Sequence, residues 1–200
     1  MPTTPYRLLA VNAALKEAAD GVREEGGNNT GPRVRAYQAS TPLTGTGWPW
    51  CAAFVNWAFK QAGRPLEELH RSPSVGFLQT YASQQGWLVK QPARGDIFCW
   101  ESPADSDSWP DHTGLVLKLL ADGSMRTVEG NTSGSSVAEG DGVYVKTRPA
   151  SFVARCTFIR VPGEKVTEPK IVQWGIRDTP AIIKQLKALR ARLKGKPGNG

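Results

Sequence analysis

One cysteine in this chain has the surroundings that nucleophilic catalysis requires. Cys51 follows Trp48-Pro49-Trp50 and begins a segment whose apolar residues recur at helical spacing, which predicts that it lies in the first turn of a helix. Unpaired backbone N–H groups and the helix dipole favour an anion there, and therefore a thiolate. A buried structural cysteine is the alternative interpretation, and the spacing alone leaves it open.

The second reactive side chain is that of His112, which follows the turn-forming Asp111 at the start of an apolar run. On the next run, Glu129 and, if the chain stays extended, Asn131 fall on one face by the two-residue period of a strand. Either could accept a hydrogen bond from the imidazole, fix its tautomer and leave the other nitrogen for Cys51. This set predicts acyl chemistry, in which the thiolate attacks a carbonyl, the imidazolium protonates the leaving amine, and water releases the acyl-enzyme.

Three tryptophans flank the two reactive residues in sequence, namely Trp48, Trp50 and Trp109. They are predicted to form the walls of a substrate groove, and core packing is the alternative for each. Backbone N–H groups in the first turn of the helix are predicted to bind the oxyanion. Cys99 and Cys156 lie within apolar runs and are interpreted as core residues.

The elements that must position these residues are helical in the first half of the chain. Helical patterns cover residues 5–22, 51–62 and 74–85, and Gly63 is predicted to end the second of these helices. In the first helix, the residues predicted to face inward are Leu8, Leu15, Ala18, Ala19 and Val22.

The second half reads as β-structure, because short β-branched or aromatic runs alternate there with turn formers. The predicted strands are 97–100, 114–117, 125–129, 143–145 and 156–161. The sequence therefore predicts an α+β fold, with N-terminal helices packed on a central antiparallel sheet and a basic helix at the C-terminus.

The net charge of +7 is concentrated in residues 161–200, which hold nine Lys or Arg and three Asp or Glu. Residues 1–162 are predicted to form the catalytic domain, and residues 163–200 a basic linker and helix. The basic segment suits an anionic surface such as nucleic acid, anionic lipid or an anionic cell-wall polymer, with a merely solvated helix face as the alternative. We expect no nucleic-acid partner.

Composition excludes several classes of protein. Three widely spaced cysteines indicate no disulfide framework, and no apolar run is long enough to cross a bilayer. The first residues lack the apolar centre of a signal peptide, so we expect synthesis in the cytoplasm and export by another route. With His70 outside any ligand-spaced motif, the two histidines do not make a three-ligand zinc site, so we expect no metal and no cofactor.

Four motifs resemble, in order, those of the CHAP family, the cysteine, histidine-dependent amidohydrolases/peptidases of bacterial and phage peptidoglycan hydrolases. They are Trp50-Cys51-Ala52-Ala53-Phe54-Val55, Gly95-Asp96-Ile97, Asp111-His112-Thr113-Gly114-Leu115-Val116 and Val128-Glu129-Gly130-Asn131. The resemblance covers residues 10–160 and implies a papain-like fold of the CHAP/NlpC type.

The resemblance also implies roles. Cys51 would be the nucleophile and His112 the base, with Glu129 orienting the imidazole and Asn131 assisting. The implied substrates are peptidoglycan amides: N-acetylmuramoyl–L-alanine, the stem peptide or the cross-bridge. Some members bind calcium in an acidic loop before the nucleophile, but residues 40–47 contain no Asp or Glu, so calcium is not expected.

A phage lysin released through a holin, a virion-associated hydrolase, or a toxin delivered by a secretion machine would fit a wall hydrolase without a signal peptide. Two other functions fit the same residues. A cysteine acyltransferase or a protein-directed protease would use the same chemistry on another acceptor. A non-catalytic module that binds cell wall or nucleic acid would use the basic segment alone.

Overall fold

The computed structural model describes residues 3–64, 66, 72–104, 109–134 and 140–166 of the chain. The predicted C-terminal helix and most of the basic segment lie outside the described residues, as does His70. The predicted domain division after residue 162 stays a prediction.

Helices come first along the chain and strands follow. The helices of the described ranges are α1 (Tyr6–Ala19), α2 (Pro32–Gln38), α3 (Cys51–Gln61), α4 (Val75–Gln84) and α5 (Ala150–Val153). The strands are β1 (Thr3–Pro5), β2 (Leu88–Val89), β3 (Ile97–Trp100), β4 (His112–Leu119), β5 (Met125–Thr132), β6 (Gly142–Arg148), β7 (Cys156–Ile159) and β8 (Glu164–Val166). The predicted α+β class is confirmed.

Six strands form one antiparallel sheet in the order β2-β7-β3-β4-β5-β6. Strands β3 to β6 are a meander, as the short runs predicted, whereas β7 crosses back and pairs with the outer side of β3. In the register of β3 and β4, Trp100 lies opposite His112 and Phe98 opposite Gly114. The short strands β1 and β8 form a separate two-stranded sheet.

The two faces of the large sheet carry different cores. Helices α1 and α3 pack on one face, against side chains such as Ile97, Leu115 and Val128. The other face carries a smaller cluster around Phe98 and is covered by Phe152 of α5. The N-terminal helices therefore pack on an antiparallel sheet, as predicted.

Helix α3 begins and ends where the sequence predicts. Trp50 precedes its first turn, and Gly63 ends it in the left-handed region with φ +84°. The N–H of Arg64 donates to the carbonyl of Phe59, which closes the helix in the manner of a Schellman motif. Every residue of α3 from Cys51 to Phe59 is buried, so the surrounding core fixes its first turn.

The predicted inner face of α1 is partly wrong. Ala10, Val11 and Ala14 form its buried stripe, while Ala19 is exposed and Leu8 lies outside the core cluster. Small side chains let α1 approach α3 closely, so they take the inner positions and larger ones lie at the margin. The apolar pattern alone does not show which side chains lie where α1 and α3 pack most closely.

Helix α2 is absent from the sequence predictions, although Pro32 occupies the favoured first helical position after Gly31. Its Tyr37 stacks on Trp50 at 5.3 Å and donates a hydrogen bond to the buried carboxylate of Glu17. Arg33 donates to the same carboxylate at 2.9 Å. The carboxylate therefore ties α1 to α2, beside the aromatic residues that support α3.

Glu17→Ala is expected to lower the free energy of unfolding by about 2–4 kcal/mol, because it leaves the buried hydroxyl of Tyr37 without its acceptor. Urea unfolding followed by circular dichroism measures the change. Glu25→Ala is the matched control, since Glu25 is exposed, and it should change stability by less than about 0.5 kcal/mol. Equal losses in the two variants would contradict a structural role for the buried carboxylate.

The Gly95-Asp96 motif serves the fold. Asp96 is fully buried and accepts two hydrogen bonds from Arg160, at 3.0 and 2.7 Å, and one from the N–H of Ala93. Gly95 has φ +88°, and a Cβ there would lie 2.6 Å from the carbonyl oxygen of Arg7. The pair therefore holds the turn before β3 against both α1 and the end of β7.

Candidate active site

The N-terminus of α3 and the start of β4 meet at one cavity of about 710 Å³. Cys51, 5% exposed, opens α3, and His112, whose side chain is 15% exposed, opens β4. Both residues line the cavity, and their side chains lie close enough for Cys51 to raise the pKa of His112. The structure thus brings together the two residues that the sequence singled out.

Glu129 holds the imidazole from its other side. The Nε2 atom of His112 donates to Oε2 of Glu129 at 2.8 Å, which leaves Nδ1 for the sulfur of Cys51. Glu129 lies on β5, the neighbour of β4, and its side chain is completely buried. The sequence left open whether Glu129 or Asn131 would accept this bond, and in the structure the acceptor is Glu129.

Four donors converge on the Glu129 carboxylate. Its Oε1 accepts from Oγ1 of Thr127 at 2.6 Å and from Nε of Arg148 at 2.9 Å. Its Oε2 accepts from His112 and from Nη2 of Arg148 at 2.5 Å. Burial alone would raise the pKa of this carboxyl, but the hydrogen bonds from His112 and Arg148 outweigh it and lower the pKa to about 2.

The imidazole of His112 is protonated at neutral pH. Burial disfavours its charge, but the nearby Cys51 and the hydrogen bond to Glu129 outweigh burial and raise the pKa of His112 to about 9. A cationic ring beside the sulfur stabilises a thiolate. The arrangement therefore places a proton donor beside the sulfur of Cys51.

Two glycines set the spacing between these elements. A Cβ on Gly114 would lie 2.9 Å from Cγ of Glu129, so its absence lets the acidic side chain cross β4 toward His112. A Cβ on Gly130 would lie 2.6 Å from Cγ of Phe54, so its absence lets α3 pack directly on β5. Both glycines belong to the motifs noted in the sequence, and both act by close approach.

Asn131 does not continue the extended strand. It has φ +53°, in the left-handed region, and the register of β5 with β6 shifts between Glu129 and Thr132. The condition under which it would share the face of Glu129 is therefore not met. Asn131 nevertheless lines the cavity, together with Cys51 and His112.

The prediction that Trp50 forms a groove wall is wrong. Its side chain is 0% exposed, stacks on Tyr37, and donates from Nε1 to Glu24 at 2.8 Å. Its helix is enclosed by core on all sides, so the ring next to the nucleophile points inward. Trp50 therefore supports the first turn of α3 from within the core.

The other two predicted wall residues lie outside the lining of this cavity. Trp48 packs against the main core, and Trp109 is 45% exposed with its ring 5.7 Å from that of Phe77. Their roles in substrate binding stay predictions. The aromatic wall is formed instead by Trp100 and Phe152, whose rings stack in parallel at 4.8 Å.

Other residues that line the cavity are polar. Asn28 and Asn29 contribute from the loop before α2, and the N–H of Asn29 donates to Glu24 at 2.9 Å. Because Glu24 also accepts from Trp50, it ties this loop to the start of α3. Residues 131–134 also line the cavity.

The remaining cysteines are not among the residues that line the cavity. Cys99 is buried within β3, and burial raises the pKa of its thiol far above the ordinary value. Cys156 is partly buried against the smaller core, and burial raises the pKa of its thiol to about 12. Both thiols are therefore protonated at neutral pH, as expected for structural residues.

Within the described ranges, no three side chains of His, Cys, Asp or Glu converge to hold a metal ion. Across those same ranges, none of the helices has the length and apolar character needed to span a membrane.

Comparison with known proteins places this geometry in a family. No curated protein matches the chain. Among solved structures, an N-acetylmuramoyl-L-alanine amidase from Staphylococcus aureus is similar at 18% identity and a TM-score of 0.42, over 60% of this chain and 32% of that one. The family model of the CHAP domain matches residues 43–131, the span from just before Cys51 to Asn131. By that match, residues 43–131 of the chain are a CHAP domain, as the four sequence motifs predicted.

Proposed function

We propose that the protein hydrolyses an amide bond of bacterial peptidoglycan, with Cys51 as the nucleophile. The observation that carries the proposal is the arrangement of Cys51 beside His112, which is hydrogen-bonded to Glu129, at the wall of an open cavity within a CHAP domain. The helix-borne cysteine and the histidine at a strand start support a papain-like fold of the CHAP/NlpC type.

In the first half of the reaction, the thiolate of Cys51 attacks the carbonyl carbon of the bound amide. The oxyanion that forms is stabilised by N–H groups in the first turn of α3, which have no intrahelical acceptor. The C–N bond then breaks, the imidazolium of His112 gives its Nδ1 proton to the leaving amine, and a thioester remains on Cys51.

In the second half, the neutral imidazole of His112 takes a proton from a water molecule, and the resulting hydroxide attacks the thioester. The C–S bond breaks, the acyl group leaves as a carboxylic acid, and the thiolate–imidazolium pair is restored. Glu129 keeps the ring in one orientation through both halves, since it accepts from Nε2 throughout. Asn131 lines the cavity beside this pair and assists in binding the substrate.

The cavity supports an extended substrate that carries amides. Its lining offers amide and hydroxyl groups, from Asn28, Asn131 and Ser133, and the stacked rings of Trp100 and Phe152. A peptide that carries both amide groups and apolar or sugar C–H groups can contact both kinds of lining residue. N-Acetylmuramoyl–L-alanine and the amides of the stem peptide or cross-bridge are the candidate bonds.

Mass spectrometry of muropeptides after digestion of purified cell walls tests the proposal. We expect new free amino groups and products heavier by one water in total. Amidase activity separates the sugar from an intact stem peptide, whereas endopeptidase activity shortens the peptide. Products extended by an added amine would assign acyl transfer instead. An unchanged muropeptide profile, identical to that with the Cys51→Ala variant, would overturn the proposal.

Attachment of the basic C-terminal segment to an anionic wall polymer stays a prediction from charge. Origin as a phage lysin, a virion component or a secreted toxin likewise stays a prediction.

A further inference from the structure

Arg148 lines the same cavity as Cys51 and His112, and it was not among the residues singled out by sequence. It is the last residue of β6, and its side chain is 22% exposed. Its Nε and Nη2 atoms donate to the two different oxygens of Glu129, in the two-pronged geometry that guanidinium and carboxylate favour. The ring of Phe152, which also lines the cavity, lies 4.7 Å from its Cζ atom and packs against the guanidinium.

The contacts of Arg148 complete those of Glu129. A carboxylate can accept about four hydrogen bonds in its plane. Here Oε1 accepts from Thr127 and Arg148, and Oε2 from His112 and Arg148. With two donors on each oxygen, the carboxylate has no free position toward which it could rotate, so the oxygen facing His112 is fixed.

We propose that Arg148 is a positioning residue for the hydrolysis, whose guanidinium locks the Glu129 carboxylate so that the imidazole of His112 faces Cys51. The inference rests on the proposed function. A point charge would not suffice, because an ammonium group donates from one centre and cannot span both carboxylate oxygens. The two-pronged donation from the guanidinium to both oxygens, more than its charge, therefore fixes the Glu129 carboxylate.

The charge of Arg148 has a second consequence for the ring. His112 must give up its proton to the leaving amine and later take one from water. A lone buried carboxylate would bind the imidazolium proton tightly, but Arg148 already compensates the charge of Glu129. The compensated pair therefore orients the ring without preventing it from releasing its proton.

Arg148→Lys is the decisive variant, because it keeps the charge and removes the two-pronged donation. Its first readout needs no wall substrate: the rate at which iodoacetamide alkylates Cys51, followed by peptide mass spectrometry across pH. We expect a fall of about tenfold at neutral pH, since the ring no longer stabilises the thiolate in a fixed position. Arg155→Lys is the matched control, because Arg155 pairs with Glu101 at the surface, and it should leave the rate unchanged.

The second readout is the steady-state hydrolysis of a soluble muropeptide. In Arg148→Lys, kcat should fall about ten- to hundredfold with KM within about twofold of the native value. Arg148→Met should lose at least as much, and thermal unfolding verifies that each variant is folded. Native alkylation and native kcat in Arg148→Lys would overturn the positioning role, as would a loss confined to KM. If the native protein cleaves no wall substrate, the alkylation profile still decides the role of Arg148 separately from the proposed function.

Discussion

Cys51→Ala is expected to reduce peptidoglycan hydrolysis to background, a loss of at least about 10⁴-fold in kcat, because no other group can form the thioester. The variant should fold normally. Cys51 is a small buried residue at the start of α3. Alanine is similar in size and compatible with the helix, so the packing should be preserved. Release of free amino groups from cell walls measures the activity, and thermal unfolding measures the fold.

Cys156→Ala is the matched control for the loss of a thiol. Cys156 lies beside the Phe98 cluster, and burial raises the pKa of its thiol to about 12, so it is not nucleophilic at neutral pH. We expect activity within about twofold of native. Residual hydrolysis in Cys51→Ala, or abolished hydrolysis in folded Cys156→Ala, would refute the assignment of the nucleophile.

The reactive pair was predictable because its signals are local. Pro49 before a helical repeat and Gly63 after it place Cys51 in a first turn without any knowledge of tertiary structure. Asp111 before an apolar run likewise places His112 at a strand start. The distance between the two depended on packing, and only the family resemblance supplied it in advance.

The partners of the pair were less predictable because they depend on backbone twist and strand register. The choice between Glu129 and Asn131 depends on the left-handed conformation of Asn131, which an alternating pattern does not reveal. Arg148 reaches Glu129 from the far end of β6, and the predicted strand ended before it, at residue 145. Sequence alternation would place both on one face only if the strand length and register were known.

The sequence also did not reveal that α3 is buried on every side. An amphipathic pattern predicts one inner face for α3, yet α1, α2 and the sheet enclose it, and the aromatic residue beside the nucleophile faces the core. For that reason Trp50 was assigned to a groove wall that Trp100 forms instead. A tryptophan on β3 could have been chosen from the sequence, had the pairing of Trp100 with His112 been foreseen.

Glu129→Gln is expected to have the second largest effect, on both activity and stability. The amide oxygen of glutamine can still accept, but its NH₂ group would face the donors that one carboxylate oxygen now satisfies. The partly buried guanidinium of Arg148 also loses its counter-charge. Activity should fall about 10²- to 10⁴-fold as the ring loses its orientation. The free energy of unfolding should fall by about 3–5 kcal/mol, the usual cost of breaking a buried ion pair.

The pH dependence of stability gives this prediction its sharpest test. The pKa of His112 is raised to about 9 from 6.5, so its contribution to stability is complete below pH 6.5 and is lost as pH rises through 9. The pKa of Glu129 is lowered to about 2 from 4.5, so its contribution is complete above pH 4.5 and is lost as pH falls toward 2. Both contributions are therefore complete between pH 4.5 and 6.5. The native Tm should decline on either side of that interval.

In Glu129→Gln the acidic decline should flatten, because the titrating carboxyl is gone, and the alkaline decline should shrink, because only Cys51 still raises the pKa of His112. Differential scanning calorimetry from pH 2 to 10 compares the curves. Glu101→Gln is the control, since its carboxylate pairs with Arg155 at the exposed surface, and its curve should follow the native one. Parallel curves for native protein and Glu129→Gln would mean that the buried carboxylate does not hold the imidazolium, and the orientation of His112 would then require another cause.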